Sequence, residues 1–228
     1  SVTTDSSQRG VYWRIWSLAW PTLLYSALEL SLGVADLLMV RGLGPEATAA
    51  IGLTRQVTFL LEASALALAP GVITLVSQGI GAQNREQVDG VVHQSVRLVL
   101  LVGLPVTVIG YFASRPLLIV MQATPETLQH GVPYLHVYFL GTVFLWGNVI
   151  SAAVFRGAGD ALTPLKLATV ISILNIALNY LCIFGAGPIP ALGVAGAAVG
   201  SVAARAVGSV VYCLLYTSDA ADEGLGVD

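Results

Sequence analysis

Charge is what this chain has least of. Asp, Glu, Lys and Arg make up 10% of its 228 residues, against roughly 25% in a soluble domain. That argues against a water-exposed enzyme surface, and no nucleic-acid partner is expected. Cysteine is scarce as well. Cys182 and Cys213 lack the spacing of a zinc site, and in apolar surroundings they say little about redox compartment. His93, His130 and His136 are scattered and read as ordinary loop and interface residues rather than metal ligands. A cleavable signal peptide is not expected, because the first apolar stretch is too long and carries Glu29 and Asp36. An initiator Met is also missing, so the natural start is expected upstream.

What fills the chain instead is hydrocarbon. Mean hydropathy is +0.81. A helical crossing of the bilayer core needs about 20 apolar residues, and the sequence supplies such a stretch six times: 15–40, 47–76, 91–113, 132–155, 164–184 and 192–216. The runs are continuous rather than alternating, and longer than the roughly 9–11 residues of a membrane strand, so helices are expected and a β-barrel is not. The expected fold class is all-α integral membrane, with six transmembrane helices. Placing the N-terminus in the cytoplasm puts Arg9, Arg14, Arg85, Arg97, Arg156 and Lys166 inside, with only Arg41 and Arg115 outside. The asymmetry of basic residues supports that orientation.

Residues 1–216 form the expected lobe, and residues 217–228 stand apart. The tail carries Asp219, Asp222, Glu223 and Asp228 and no base, and without these acids the net charge moves from −3 to +1. The run from Leu214 to Glu223 reads as translated sequencing adaptor rather than evolved protein, and is set aside from the fold. The natural chain is expected to continue past this point.

Pro21, Pro70 with Gly71, and Gly103 with Pro105 punctuate the first three spans. Such breaks in a membrane helix need neighbours or a wet cavity to satisfy freed backbone groups. They serve either as packing kinks or as points where a bundle bends. Small residues crowd the sixth span from Gly193 to Ser209, and Gly196 and Gly200 sit four apart, which lets backbones approach closely.

Ionisable residues inside spans are costly, and so informative. Glu29 and Asp36 lie seven apart on one helix face, and Arg55 and Glu62 repeat that spacing on the next, antiparallel helix. Asp36 and Arg55 therefore lie at comparable depth, with Glu29 and Glu62 deeper in. Two readings follow. Asp36 and Arg55 form a structural ion pair, or Asp36 faces a wet cavity and binds a cation. The fifth span favours the second, because Ser172, Asn175 and Asn179 line one face at i, i+3 and i+7. Their oxygens suit a small hard cation, although interhelical hydrogen bonding alone also explains them. GAGD at 157–160 has the form used by intramembrane aspartyl proteases, but Asp160 sits in a polar hinge at the surface opposite Asp36. It is expected to cap the next helix, with Pro164 in the first turn.

These residues resemble the N-terminal six-helix lobe of the multidrug and toxic compound extrusion (MATE) family. PTLLYSALELSLGVADLLMVRGLGPEATAAIGL is similar to the family's first helix and outer turn, with Asp36 at its acidic position. GVITLVSQGIGAQNREQV resembles the end of the second helix, FRGAGDALTP the turn after the fourth, LNIALNYLCIFG the fifth and GVAGAAVGS the start of the sixth. The resemblance implies one lobe of a twelve-helix, two-bundle transporter. It implies export of organic cations or other amphipathic compounds by antiport with Na⁺ or H⁺, and no enzymatic activity or other cofactor. It makes Asp36 the coupling carboxylate, with Asn175, Asn179 and Ser201 beside it as ion-coupling or substrate-binding residues and as a possible Na⁺ site. Where some members carry a second Asp, this chain has Asn179. The implied partners are a small-molecule substrate, the bilayer and a C-terminal lobe, in the plasma membrane of a bacterium. Two alternatives stay open: a flippase for a lipid-linked oligosaccharide, for which Arg55 and Arg205 speak, and a non-transporting membrane scaffold.

Overall fold

The computed structural model describes residues 3–224 except 186 and 189, with side chains described over 13–216 apart from 14, 18, 186 and 189. The side chains of Arg9 and Arg14 and the acids of the tail therefore lie outside the described residues.

Hydrocarbon leaves a peptide group no partner but another peptide group, so long apolar runs fold as helices. Seven helices follow one another among the described residues: α1 (Thr3–Arg41), α2 (Pro45–Gly81), α3 (Arg85–Val120), α4 (Pro125–Leu140), α5 (Thr142–Gly157), α6 (Leu162–Phe184) and α7 (Val194–Gly224). Five of them are long and apolar enough to cross a membrane. The pair α4 and α5, bent by 51°, makes a sixth crossing when taken as one span.

The turns are set by local chemistry. Gly44 takes φ 114°, a conformation open to glycine, and Pro45 then opens α2. Asn84 caps α3 by accepting from the Gln87 amide at 3.0 Å, and Thr124 caps α4 by accepting from the Thr127 amide at 3.3 Å. Asp160 Oδ1 accepts from the amides of Leu162 and Thr163, both at 3.0 Å, and so starts α6.

The structure departs from the sequence expectation in the fourth span. One helix was expected over 132–155, but the chain breaks at Gly141. There the backbone of Gly141 lies so close to Val202 of α7 that a Cβ would collide with it. Beyond the break, the Phe144 carbonyl takes side-chain donors from Asn148 at 2.8 Å and Ser209 at 3.1 Å. Conversely, α2 runs on through Pro70 and Gly71, and α3 through Gly103 and Pro105, without interruption.

Two surfaces define the lobe. Outward, large apolar side chains such as Leu101 and Phe112 are 74% and 76% exposed, which suits a lipid solvent and no aqueous one. Inward, α7 packs against α4, α5 and α6, while α1 lies along α6 and α2. The approach of α7 to α6 is close because Gly196 meets the Cys182 carbonyl and Gly200 meets Asn179, with no side chain between.

Candidate functional site

Asp36 on α1, Asn175 and Asn179 on α6, and Ser201 on α7 come together in one cluster. The spacing of Asn175 and Asn179 puts both on the same face of α6, and both are buried, Asn179 completely. Asn179 Nδ2 donates to Asp36 Oδ1 at 2.7 Å and to Asn175 Oδ1 at 3.0 Å, with Ser201 Oγ further off at 3.3 Å. Asn175 Nδ2 donates to Ser201 Oγ at 3.0 Å. A carboxamide nitrogen carries two protons, and in Asn179 the two shorter contacts use them. The result is a short relay across three helices that ends on a carboxylate.

Among the described residues, two oxygens beside this relay have no hydrogen-bond partner. Asn179 Oδ1 is buried against the backbone of Gly200, and Ser172 Oγ is buried one turn below Asn175. The cluster thus concentrates hard oxygen atoms from Asp36, Asn175, Asn179 and Ser201 in a low-dielectric setting, which is the donor set a small cation takes.

Asp36 does not pair with Arg55. Among the described residues no ion pair joins the two, and the Arg55 guanidinium instead lies over Gly33, one turn before Asp36 on α1. A side chain at 33 would occupy that space. The structural ion pair considered from depth alone is therefore not the arrangement adopted.

The deeper acids form a second centre that sequence reasoning did not assemble. Arg205, one turn along α7 from Ser201, sits 3.7 Å from Glu29 and 3.6 Å from Glu62. Tyr138 of α4 donates to Glu62 at 2.7 Å and accepts from Arg205 at 3.4 Å. Asn148 of α5 holds the Arg205 carbonyl at 2.7 Å and Ser209 Oγ at 2.8 Å. The available signals were the four-residue step from Ser201 to Arg205 and the equal depth of Glu29 and Glu62. Neither indicates which face of α7 turns inward.

Asp160 stays apart from both centres. Burial pushes its carboxyl up, but hydrogen bonds from Thr163 and Leu162 and the nearby Lys166 ammonium outweigh this and hold it below the usual carboxylate range. Its carboxylate is engaged in capping α6, while that of Asp36 is engaged by Asn179, so the two do not form the shared-proton pair of an aspartyl protease. Among the described residues no group of three His, Cys, Asp or Glu side chains is placed to hold a metal ion.

Comparison with known proteins gives one consistent result. The family model MatE matches residues 21–181. The chain is 30% identical over 192 residues to a "Probable multidrug resistance protein NorM" of Thermotoga maritima, covering 84% of this chain and 41% of that protein. It is 28% identical over 186 residues to an "FAD transporter" of Shewanella oneidensis, covering 82% and 41%. Among solved structures, an outward-facing multidrug resistance MATE family transporter of the MOP superfamily matches with a TM-score of 0.80 at 30% identity, over 87% of this chain and 43% of that one. The chain thus spans about two-fifths of the length of the relatives it matches, and it corresponds to their N-terminal lobe.

Proposed function

The chain belongs to the MatE family of membrane transporters, and from that premise we propose that it is the ion-coupling lobe of a secondary active exporter. The complete protein expels organic cations or amphipathic compounds, and an inward flow of Na⁺ or H⁺ through Asp36 drives the cycle. The observation that carries this reading is the 2.7 Å contact between Asn179 Nδ2 and Asp36 Oδ1. It fixes one carboxylate between two helices with neutral amide and hydroxyl groups around it.

Such a site responds to a cation in a defined way. With the carboxylate free, the Asn179 amide donates to it. With a cation beside Asp36, the carboxamide turns over, and the Oδ1 now idle against Gly200 becomes a ligand alongside Asn175 Oδ1 and Ser201 Oγ. A proton acts on the same groups, since a protonated Asp36 donates where it formerly accepted. Either event changes how α1 is held to α6, and a transporter needs that link between ion and conformation. The second bundle, supplied by the C-terminal lobe, closes the substrate path. No step calls for a reacting nucleophile, and the relatives are transporters rather than enzymes.

The carboxylates of Asp36, Glu29 and Glu62 favour cations as cargo, even though one relative is named as an FAD transporter. The flippase alternative needs a basic cavity. Arg205 is engaged by two glutamates, which leaves Arg55 alone for that role. The placement that agrees with the basic residues is a bacterial inner membrane with the N-terminus inside, and the acidic tail of residues 217–228 is foreign to the transporter. The test is efflux by the complete transporter in proteoliposomes with and without a Na⁺ gradient, using Asp36→Asn. Loss of gradient-driven efflux with folding intact is the expected result, and undiminished coupled efflux removes Asp36 from the mechanism.

A further inference from the structure

Glu29 of α1, Glu62 of α2, Tyr138 of α4 and Arg205 of α7 meet at one depth in the lobe, below the Asp36 cluster. Their charges do not balance, because two carboxylates face one guanidinium. Nor are the partners arranged symmetrically towards the outside. The glutamate side chains are 39% and 38% exposed, while Arg205 is 18% exposed behind them. Its separations of 3.7 and 3.6 Å are ion-pair contacts longer than a hydrogen bond. Among the described residues, Glu29 Oε1 and Glu62 Oε2 have no hydrogen-bond partner. A molecule that reaches this face meets carboxylate oxygens first and a fixed positive charge second.

The setting says what covers the face. Carboxylates inside apolar spans do not turn to lipid, and the chain accounts for 43% of the length of the matching solved transporter. The rest of the protein therefore lies over this side, with the glutamates lining the path between the lobes. Other charges lie within reach: the Arg156 guanidinium of α5 stands over the Tyr25 ring, one turn of α1 from Glu29, and Asp36 and Arg55 offset one another. Asp36 stands seven residues from Glu29 and is held by Asn179, and Arg55 stands seven residues from Glu62 and lies over Gly33. Each is roughly 10 Å away along its helix.

We propose that Arg205 sets the charge preference for the cargo: by cancelling one of two glutamates it leaves the Glu29–Glu62 pair one net negative charge instead of two, and so shifts affinity from divalent towards monovalent organic cations. This rests on the cation-export reading above and adds to it a residue that determines specificity. Arg205 does not touch the cargo. It acts through the glutamates as a positioning and charge-setting group, and Tyr138 keeps it in place by accepting from it while donating to Glu62.

The experiment measures equilibrium binding to the complete purified transporter, with no ion gradient, of monovalent tetraphenylphosphonium and divalent methyl viologen. The wild-type ratio of the two affinities is the reference. Arg205→Gln moves the affinity ratio towards the divalent probe by about tenfold or more, a modest expectation for one charge a few ångströms away at an effective dielectric near 20. Arg205→Lys keeps the wild-type ratio, and the double variant Glu62→Gln/Arg205→Gln, again with one net negative charge, returns to it. A ratio unmoved by Arg205→Gln, or moved as far by Arg205→Lys, overturns the proposal. Should Arg205→Gln not fold, Glu62→Gln alone makes the triad neutral and lowers affinity for the monovalent probe about tenfold, and unchanged affinity is the refuting result. Failure of the coupling reading shows elsewhere, as gradient-driven efflux that survives Asp36→Asn, and leaves this ratio untouched. If the wild type binds neither probe, cation export and this proposal fall together.

Discussion

Replacing Asn179 by Leu, a residue of similar volume, tests the contact on which the proposed coupling site rests. The substitution removes the amide that donates to Asp36 at 2.7 Å and to Asn175 at 3.0 Å. In soluble proteins a hydrogen bond to a charged group contributes about 1.5–3 kcal/mol. Interhelical bonds measured in membranes average about 0.6 and reach about 1.7 kcal/mol. The short distance, the ionised acceptor and the complete burial of Asn179 place this bond near the upper membrane value, at about 1.5 kcal/mol. The single variant also orphans Asn175 Oδ1, so its total loss overstates the pair. A double-mutant cycle of Asn179→Leu with Asp36→Leu, which leaves no acceptor at 36, separates the two. Unfolding of the four proteins in mixed micelles, followed by circular dichroism, gives the coupling energy. A value below about 0.5 kcal/mol, a tenth-scale change in a typical domain's stability, refutes the view that this bond fastens α1 to α6. The same four proteins, titrated with Na⁺ at fixed pH and with H⁺ in the absence of Na⁺, identify the driving ion as the one whose stabilising effect needs both residues.

Three further outcomes follow from the packing and the caps. Gly200→Val drives a side chain into Asn179 and the α6 backbone; the loss is expected to be about 3 kcal/mol or more, and a thermal midpoint equal to wild type contradicts the close approach of α6 and α7. Tyr138→Phe removes the hydroxyl that bridges Glu62 and Arg205, and stability measured in micelles is expected to fall by about 1 kcal/mol while the helix content is unchanged. Asp160→Ala removes the acceptor of the Leu162 and Thr163 amides, a loss of about 1 kcal/mol. Because folding lowers the Asp160 pKa, its contribution is present above the unfolded value near 4 and disappears as pH falls through the folded value. The gap between wild type and Asp160→Ala in thermal scans should therefore narrow towards pH 3, and a gap that widens on acidification reverses the sign of the argument.

The span count and the membrane setting could be read from the chain because they depend on composition over stretches of twenty residues or more, and the family from the resemblance of several strings in the right order. The helix start at Asp160 was legible for a similar reason, as capping is local chemistry, whereas the caps at Asn84 and Thr124 were not read. The proximity of Asp36 to α6 was suggested by the periodic placing of Ser172, Asn175 and Asn179, since a polar stripe in an apolar helix has to face something. Periodicity does not encode which helix supplies the partner. Depth counting put Asp36 level with Arg55 and left their pairing open; the guanidinium went to the space over Gly33. The same counting put Glu29 level with Glu62 but could not bring Arg205 between them, because that depends on how α7 is rotated by Gly196 and Gly200. The break at Gly141 was invisible for a third reason. Prolines draw attention as helix breakers, yet Pro70 and Pro105 lie within continuous helices. The span broke at a glycine with no proline beside it, where tertiary contact with Val202 decides the matter.

Among the moorings of helix α1 are Asp36, which ties it to α6, and Glu29, which through Arg205 ties it to α7. These two are roughly 10 Å apart along its axis. Loss of the upper one leaves the lower one in place, so release at Asp36 alone does not detach the helix from the bundle.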